Sequence, residues 1–135
     1  MKIIKTSEDN IVADIEFTVT GKNFKQTVKT DSKGEIILEN LVPGTYTVTE
    51  SVGERYEAQQ PKTVKVEADK TATVTFKNIL KKGDLKIIKT SEDNIVADIE
   101  FTVTGKNFKQ TVKTDIKGEI VLENLVPGTY TMSST

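Results

Sequence analysis

The sequence predicts an all-β protein built as a β-sandwich, and three observations support this prediction. Apolar and polar residues alternate with a period of two, which is typical of half-buried strands. Threonine and valine, which strands favour, are abundant. Glycine and proline separate the alternating segments at short intervals, as in sandwiches of short strands. This pattern occurs twice along the chain, so we expect a tandem repeat.

The repeat defines the predicted domain organisation. Residues 2–47 and 86–131 agree at 44 of 46 aligned positions, with an offset of 84 residues. A period of this length corresponds to a small domain. The second copy has no counterpart of residues 52–80.

We therefore predict a complete sandwich at residues 1–80, a linker at 81–84 and a partial second repeat at 85–135 that lacks its C-terminal strands. We interpret the chain as a piece of a longer tandem array.

Seven strands are expected in the first copy, each with one apolar face. The predicted inward residues are, in chain order, Ile3, then Ile15, Phe17 and Val19, then Phe24 and Val28, then Ile36 and Leu38, then Tyr46 and Val48, then Val64 and Val66, and finally Ala72, Val74 and Phe76. The segment Thr30–Gly34 is predicted as a hairpin turn, in which Gly34 takes a positive φ. A second turn is expected at Val42-Pro43-Gly44.

Three polar residues continue the apolar faces by two positions. Lys5 follows Ile3, while Glu50 and Asn78 extend the faces of the fifth and seventh strands. One interpretation is that each residue ends its strand at a solvated rim. The alternative is that all three are buried, in which case they should meet, because isolated buried polar groups are costly.

Burial would give these three residues a specific chemistry. An uncharged lysine is a nucleophile, and burial lowers the pKa of its amine. The Asn78 amide carbon is an electrophile, and a protonated Glu50 can hydrogen-bond the amide oxygen and relay protons. Attack by Lys5 on Asn78 would expel ammonia and leave an isopeptide bond.

The sequence resembles the Cna B-type (collagen-adhesin B) domains of Gram-positive surface proteins and pilins. The resemblance covers residues 2–80 and again 86–131. It depends on Lys5 in the first strand, Ile15-Glu16-Phe17-Thr18-Val19 in the next, Thr30-Asp31-Ser32-Lys33-Gly34, the segment from Leu41 to Glu50, Gly53 with Tyr56, and Thr75-Phe76-Lys77-Asn78 at the end.

This resemblance implies an immunoglobulin-like or prealbumin-like β-sandwich in which Lys5 and Asn78 form an isopeptide crosslink and Glu50 is the catalyst. Two departures from the family pattern, Ser7 in place of the common aspartate and the missing proline before Tyr56, leave the three reacting residues unchanged.

The second copy departs from the family pattern more severely. Lys89 corresponds to Lys5, but Ser134 stands at the position of Glu50, and the copy has no counterpart of Asn78. We therefore expect Lys89 to remain uncrosslinked.

Composition excludes several classes of function. The chain has no cysteine, histidine or tryptophan, so disulfides, Cys/His zinc sites and Ser-His-Asp units cannot form. A net charge of -1 gives no electrostatic case for nucleic acid or anionic membranes, and no apolar run suits membrane insertion. We expect no metal, no cofactor and no turnover enzyme, only a single self-crosslinking event.

The expected function is structural, as a spacer in the stalk of a bacterial cell-surface adhesin or pilus. The expected location is extracellular, on the cell wall, and the expected partners are neighbouring repeats of the same array. Strand exchange between copies is a further expectation, because the partial repeat would expose an edge. The alternative function is an adhesive module that binds a host protein or glycan through its loops.

Overall fold

The structure is a computed structural model that describes residues 1–134 of the chain. Two compact units are present, Met1–Leu80 and Lys81–Thr135. All regular secondary structure in the described residues is β-strand, which confirms the predicted all-β class.

The first unit contains seven strands arranged in two sheets. They are β1 (Lys2–Ser7), β2 (Glu16–Gly21), β3 (Phe24–Lys29), β4 (Glu35–Ile37), β5 (Gly44–Glu50), β6 (Lys62–Val66) and β7 (Thr73–Asn78). One sheet has the order β4-β1-β7, in which β7 runs parallel to β1. The other sheet is antiparallel, with the order β3-β2-β5-β6. The first and last strands of the unit are therefore direct neighbours.

The core of the first unit lies between these sheets and follows the predicted alternation. Ile3, Phe17, Val48 and Phe76 are all fully buried. The rings of Phe17 and Phe76, one from each sheet, meet edge to face with centroids 5.1 Å apart. This contact joins the two layers beside the polar residues described below.

The segment Thr30–Gly34 is a tight turn but not a hairpin turn, so this part of the prediction is wrong. It connects β3 in one sheet to β4 in the other. The Asp31 carboxylate accepts hydrogen bonds from the backbone N–H groups of Lys33 and Glu35, and Gly34 has a φ of 81°. The turn residues correctly predict that the chain changes direction here. The sheet that the next strand joins is determined by the pairing of β4 with β1.

Residues 81–134 of the second unit contain five strands. They are β8 (Gly83–Ile88), β9 (Glu100–Gly105), β10 (Phe108–Lys113), β11 (Glu119–Leu125) and β12 (Thr131–Ser134). They form a sheet of order β10-β9-β12 and a pair of β11 with β8. Strand β8 begins at Gly83, inside the segment expected to be a linker.

No helix in residues 1–134 is long and apolar enough to cross a membrane.

Candidate functional site

Lys5 lies near the end of β1 and is buried in the interior of the first unit. It is 1% exposed and is one of the largest side chains that are almost completely buried. Its strand position is fixed on both sides. Lys5 pairs with Phe76 of β7, and its backbone N–H donates to the Gly34 carbonyl at 2.7 Å.

Glu50 reaches Lys5 from the opposite sheet. It is the last residue of β5 and pairs with Phe17 of β2. The distance between Lys5 Nζ and Glu50 Oε2 is 3.4 Å, and neither side chain is exposed to solvent. Because β1 and β5 belong to different sheets, this contact spans the interior of the sandwich.

Asn78 is the third buried polar residue and the last residue of β7. It is 1% exposed and lies opposite Ser7 in the parallel pairing with β1. Phe76, two positions earlier, pairs with Lys5. Residues two apart share one face of a strand, so Lys5, Phe76 and Asn78 lie on the same face of the sheet.

Apart from the 3.4 Å contact between Lys5 and Glu50, the three polar groups lack partners. Within residues 1–134, Lys5 Nζ, both carboxylate oxygens of Glu50 and both amide atoms of Asn78 are buried without a hydrogen-bond partner. Buried polar atoms normally have such partners, and leaving one unpaired costs about 1–3 kcal/mol. The contact between Lys5 and Glu50 offsets part of this cost, but the Asn78 amide is left buried without a hydrogen-bond partner.

Burial also changes the acidity of the lysine. Loss of solvation lowers the pKa of Lys5 below the ordinary value of 10.5, and the attraction of Glu50 offsets only part of this effect. A lowered pKa increases the fraction of uncharged amine near neutral pH, and only the uncharged amine is nucleophilic. The site therefore favours the reactive form of the lysine.

The sequence-predicted residues of the second copy lie in a different environment. Lys89 is only half-buried, and the four residues of β12 are exposed. Ser134 pairs with Phe101, as Glu50 pairs with Phe17, so the alignment of the two copies holds in three dimensions. Within residues 1–134, a serine and not an acid therefore stands at the position of Glu50.

Sequence reasoning missed a group of side chains that lies just beyond the ends of β1 and β7. Asp9 forms an ion pair with Arg55 and accepts a hydrogen bond from the Tyr56 hydroxyl. In the sequence, Tyr56 stands out only through the family resemblance, and no pattern singles out Asp9. No local pattern joins residues this far apart in sequence, so only the fold identifies the group.

No group of three or more histidine, cysteine, aspartate or glutamate side chains suited to a metal ion occurs among the described residues.

Comparison with protein families matches the chain to one model twice. The model is described as SpaA, prealbumin-like fold domain, and it matches residues 1–80 and 83–135. Comparison with curated proteins finds no match.

Several solved structures resemble the chain. The Bacillus anthracis TIE protein is 32% identical with a TM-score of 0.83, over 99% of this chain and 27% of that one. The C-terminal fragment of the pilus adhesin SpaC from Lactobacillus rhamnosus GG is 15% identical with a TM-score of 0.58, over 98% of this chain and 73% of that one. A streptococcal ancillary pilin is 19% identical with a TM-score of 0.51, over 98% of this chain and 52% of that one. The chain thus spans about a quarter of the TIE protein and half of the ancillary pilin.

Proposed function

Given that this chain belongs to the SpaA prealbumin-like fold domain family, we propose that its first unit is a load-bearing spacer of a cell-surface adhesin or pilus. An isopeptide bond between Lys5 and Asn78 closes the unit, and Glu50 catalyses its formation. The observation that carries the proposal is the buried group of three polar residues without hydrogen bonds. Bond formation converts the buried Lys5 amine and the Asn78 side-chain amide into a single amide, which is the crosslink.

The reaction is a single acyl transfer. Uncharged Lys5 Nζ attacks Asn78 Cγ, and the amide oxygen gains negative charge as the tetrahedral intermediate forms. Glu50 donates a hydrogen bond to that oxygen and carries a proton from Nζ to Nδ2. The Cγ–Nδ2 bond then breaks, ammonia leaves, and the new Nζ–Cγ amide remains. Glu50 ends in the protonation state in which it began, so it is a catalyst and not a reactant.

The strand order explains why such a bond would serve a mechanical role. Force that enters at the N-terminus of β1 and leaves after β7 passes directly from Lys5 to Asn78, because these strands are neighbours. The residues between them carry no load. By the loop-entropy estimate made for disulfides, closing this span stabilises the unit by about 4 kcal/mol. Resistance to force and proteolysis is then governed by the slow rate of unfolding.

Single-molecule pulling on the 135-residue chain tests the load-bearing role. The crosslinked first unit should give no extension from the 72 residues between Lys5 and Asn78, whereas Glu50→Ala should release about 250 Å at roughly 3.4 Å per residue. The second unit extends in both proteins and serves as the internal reference. A first unit that extends fully in the unmodified chain would refute the proposal.

The location and partners follow from the same role. A spacer of this kind belongs outside the cell, on the bacterial surface, with neighbouring repeats of its array as its principal contacts. The solved relatives described as a pilin and a pilus adhesin support this placement. The net charge of -1 gives no overall electrostatic attraction to nucleic acid.

Strand exchange between copies is a second part of the proposal. In residues 1–134, β8 pairs only with β11, whereas its counterpart β1 also pairs with β7. Residues 86–88 repeat the sequence of residues 2–4, so the free edge of β8 matches the edge that receives β7 in the first unit. A β7 strand from another molecule fits this edge, and we expect the contact to be non-covalent because Ser134 provides no acid.

Size-exclusion chromatography with light scattering tests this exchange. Residues 1–135 should form dimers or larger species at high concentration, while residues 1–80 should remain monomeric. Clean monomers from both chains at the same concentration would contradict the exchange and leave the crosslink proposal untouched.

A further inference from the structure

We infer that Asp9, Arg55 and Tyr56 form a positioning latch that holds the reacting residues together and accelerates the crosslink. This inference depends on the proposed isopeptide bond, and it concerns residues that do not touch the reacting atoms. The latch lies in the first unit, at the end where Lys5, Glu50 and Asn78 are found.

Tyr56 is the centre of the latch. It lies in the segment 51–61 between β5 and β6, which starts directly after Glu50. Tyr56 is 7% exposed, and its hydroxyl donates a hydrogen bond of 2.6 Å to Asp9 Oδ2. Asp9 follows β1, the strand of Lys5. One hydrogen bond therefore ties the segment after Glu50 to the end of the strand that carries the nucleophile.

Arg55 closes the latch from the solvent side. Its guanidinium lies 2.9 Å from Asp9 Oδ2, donates to the Tyr56 hydroxyl at 2.8 Å and packs over the Tyr56 ring at 5.0 Å. The other Asp9 oxygen, Oδ1, accepts hydrogen bonds from the Ser7 hydroxyl and the Ile11 backbone N–H. Both carboxylate oxygens of Asp9 therefore have partners, and these contacts fix the orientation of its side chain.

The charge of Asp9 is also well maintained. Partial burial acts to raise the pKa of Asp9, but hydrogen bonds from Ser7 and Tyr56 outweigh it and hold the pKa below its ordinary value. The carboxylate thus stays ionised near neutral pH and continues to attract Arg55.

The same segment is tied to the strand of the electrophile. Tyr56 forms a β-bridge with Leu80, and the Glu57 N–H donates to the Ile79 carbonyl at 2.8 Å. These residues directly follow Asn78. The latch therefore joins the ends of β1, β5 and β7, the three strands that carry Lys5, Glu50 and Asn78.

Positioning of this kind changes the rate of an intramolecular reaction. An acyl transfer requires the amine within about 3–3.5 Å of the amide carbon, and misplacement by 1 Å can cost about a hundredfold in rate. Holding the strand ends together also keeps water away from the uncharged amine and the acid. If the latch were only structural, its loss would lower stability and leave the rate in folded molecules unchanged.

The test measures the crosslinking rate separately from folding. Unfolded, uncrosslinked 135-residue chains are diluted into native buffer, samples are quenched in acid, and the loss of ammonia is followed by intact mass while circular dichroism follows folding. Tyr56→Phe keeps the ring and removes only the hydroxyl. Its matched control is Tyr46→Phe, which removes a hydroxyl bound to the Val42 carbonyl.

We expect Tyr56→Phe to fold and then crosslink at least about tenfold more slowly than the unmodified chain, and Tyr46→Phe to crosslink at the unmodified rate. An unmodified rate in folded Tyr56→Phe would overturn the inference, as would equal slowing in Tyr46→Phe.

Asp9→Asn keeps the size of the side chain and serves if Tyr56→Phe does not fold. It should slow crosslinking similarly because Arg55 loses its ion pair, and an unmodified rate in folded Asp9→Asn would also overturn the inference. Absence of any ammonia loss in the unmodified chain would instead refute the proposed crosslink, so the two failures are distinguishable.

Discussion

The two copies place the same residues in different environments. Lys5 is 1% exposed, whereas Lys89 in the same local sequence is half-buried. Phe17 is fully buried, whereas the identical Phe101 is only partly buried. Both copies form a strand over the lysine-isoleucine-isoleucine segment, but β1 continues through Lys5, whereas β8 ends at Ile88, one residue before Lys89.

The difference teaches that the local sequence specifies the strand and that distant strands create the reactive site. In the first unit, β5 supplies the acid and β7 supplies the amide and covers the edge of β1. In the described part of the second unit, no strand pairs with β8 on that edge. A buried lysine is therefore a property of the complete sandwich and not of the segment that contains it.

The largest expected effect comes from removing the acid. Glu50→Ala should leave a folded first unit without a crosslink, less stable by about 4 kcal/mol, because the covalent closure is lost. Glu50→Gln keeps the shape but cannot relay a proton, so it should also fail. Intact mass and the urea midpoint of the first unit measure both consequences.

Ser134→Ala is the matched control at the equivalent position of the second copy and should change neither quantity in the first unit. Complete crosslinking in Glu50→Ala or Glu50→Gln would contradict the catalytic role.

Alanine at Gly34 or Gly118 sharpens the comparison because both glycines face the same strain. Their φ angles are 81° and 80°, and an added Cβ would lie 2.6 Å from the Lys5 carbonyl oxygen or 2.7 Å from that of Lys89. Each substitution should destabilise its own unit by about 1–3 kcal/mol. Only Gly34→Ala should also slow crosslinking, because only it displaces the strand that carries the nucleophile.

Urea unfolding of each unit and the time course of ammonia loss measure these effects. If Gly118→Ala slowed crosslinking as much as Gly34→Ala does, the crosslinking rate in the first unit would depend on the second unit, which would contradict this prediction.

The smallest expected effect is a pH dependence of the uncrosslinked protein. In Glu50→Ala, burial lowers the pKa of Lys5 in the folded state, while the unfolded value stays near 10.5. The unfolded state then binds more protons, so the stability of the first unit should rise as the pH increases from the folded-state pKa to the unfolded-state pKa of Lys5. The slope is at most about 1.4 kcal/mol per pH unit.

Urea midpoints between neutral and mildly alkaline pH measure this slope. Glu50→Ala combined with Lys5→Met should remove the Lys5 contribution, and Glu50→Ala combined with Lys89→Met is the control for loss of a lysine in the same sequence context. Identical slopes in Glu50→Ala and in its combination with Lys5→Met would argue against a neutral buried lysine.

Much of the fold could be predicted from the sequence because strand alternation is a local signal. The inward positions of Ile3, Phe17, Val48 and Phe76 follow from the period of two, and all four are buried. The sheet assignment of the strands was not predictable in this way. The Thr30–Gly34 turn reads locally as a hairpin turn, yet it joins two sheets.

The candidate site was predictable to a lesser extent. The period-two alternation of the strands placed Lys5, Glu50 and Asn78 on apolar faces. Only the family resemblance favoured burial of all three residues over three solvated strand ends. The 3.4 Å approach of Lys5 to Glu50 depends on how the two sheets stack, which no local pattern encodes. The contact between Asp9 and Tyr56 was beyond sequence reasoning because 47 residues separate them.

The intact mass of the folded 135-residue chain tests the central claim most directly. We predict a single loss of ammonia, about 17 Da below the mass calculated from the sequence, because Lys5 and Asn78 react and Lys89 has no partner amide. Fragmentation should place the branch in a peptide pair that contains Lys5 and Asn78. A folded chain with the full calculated mass, or a crosslink at Lys89, would contradict the account.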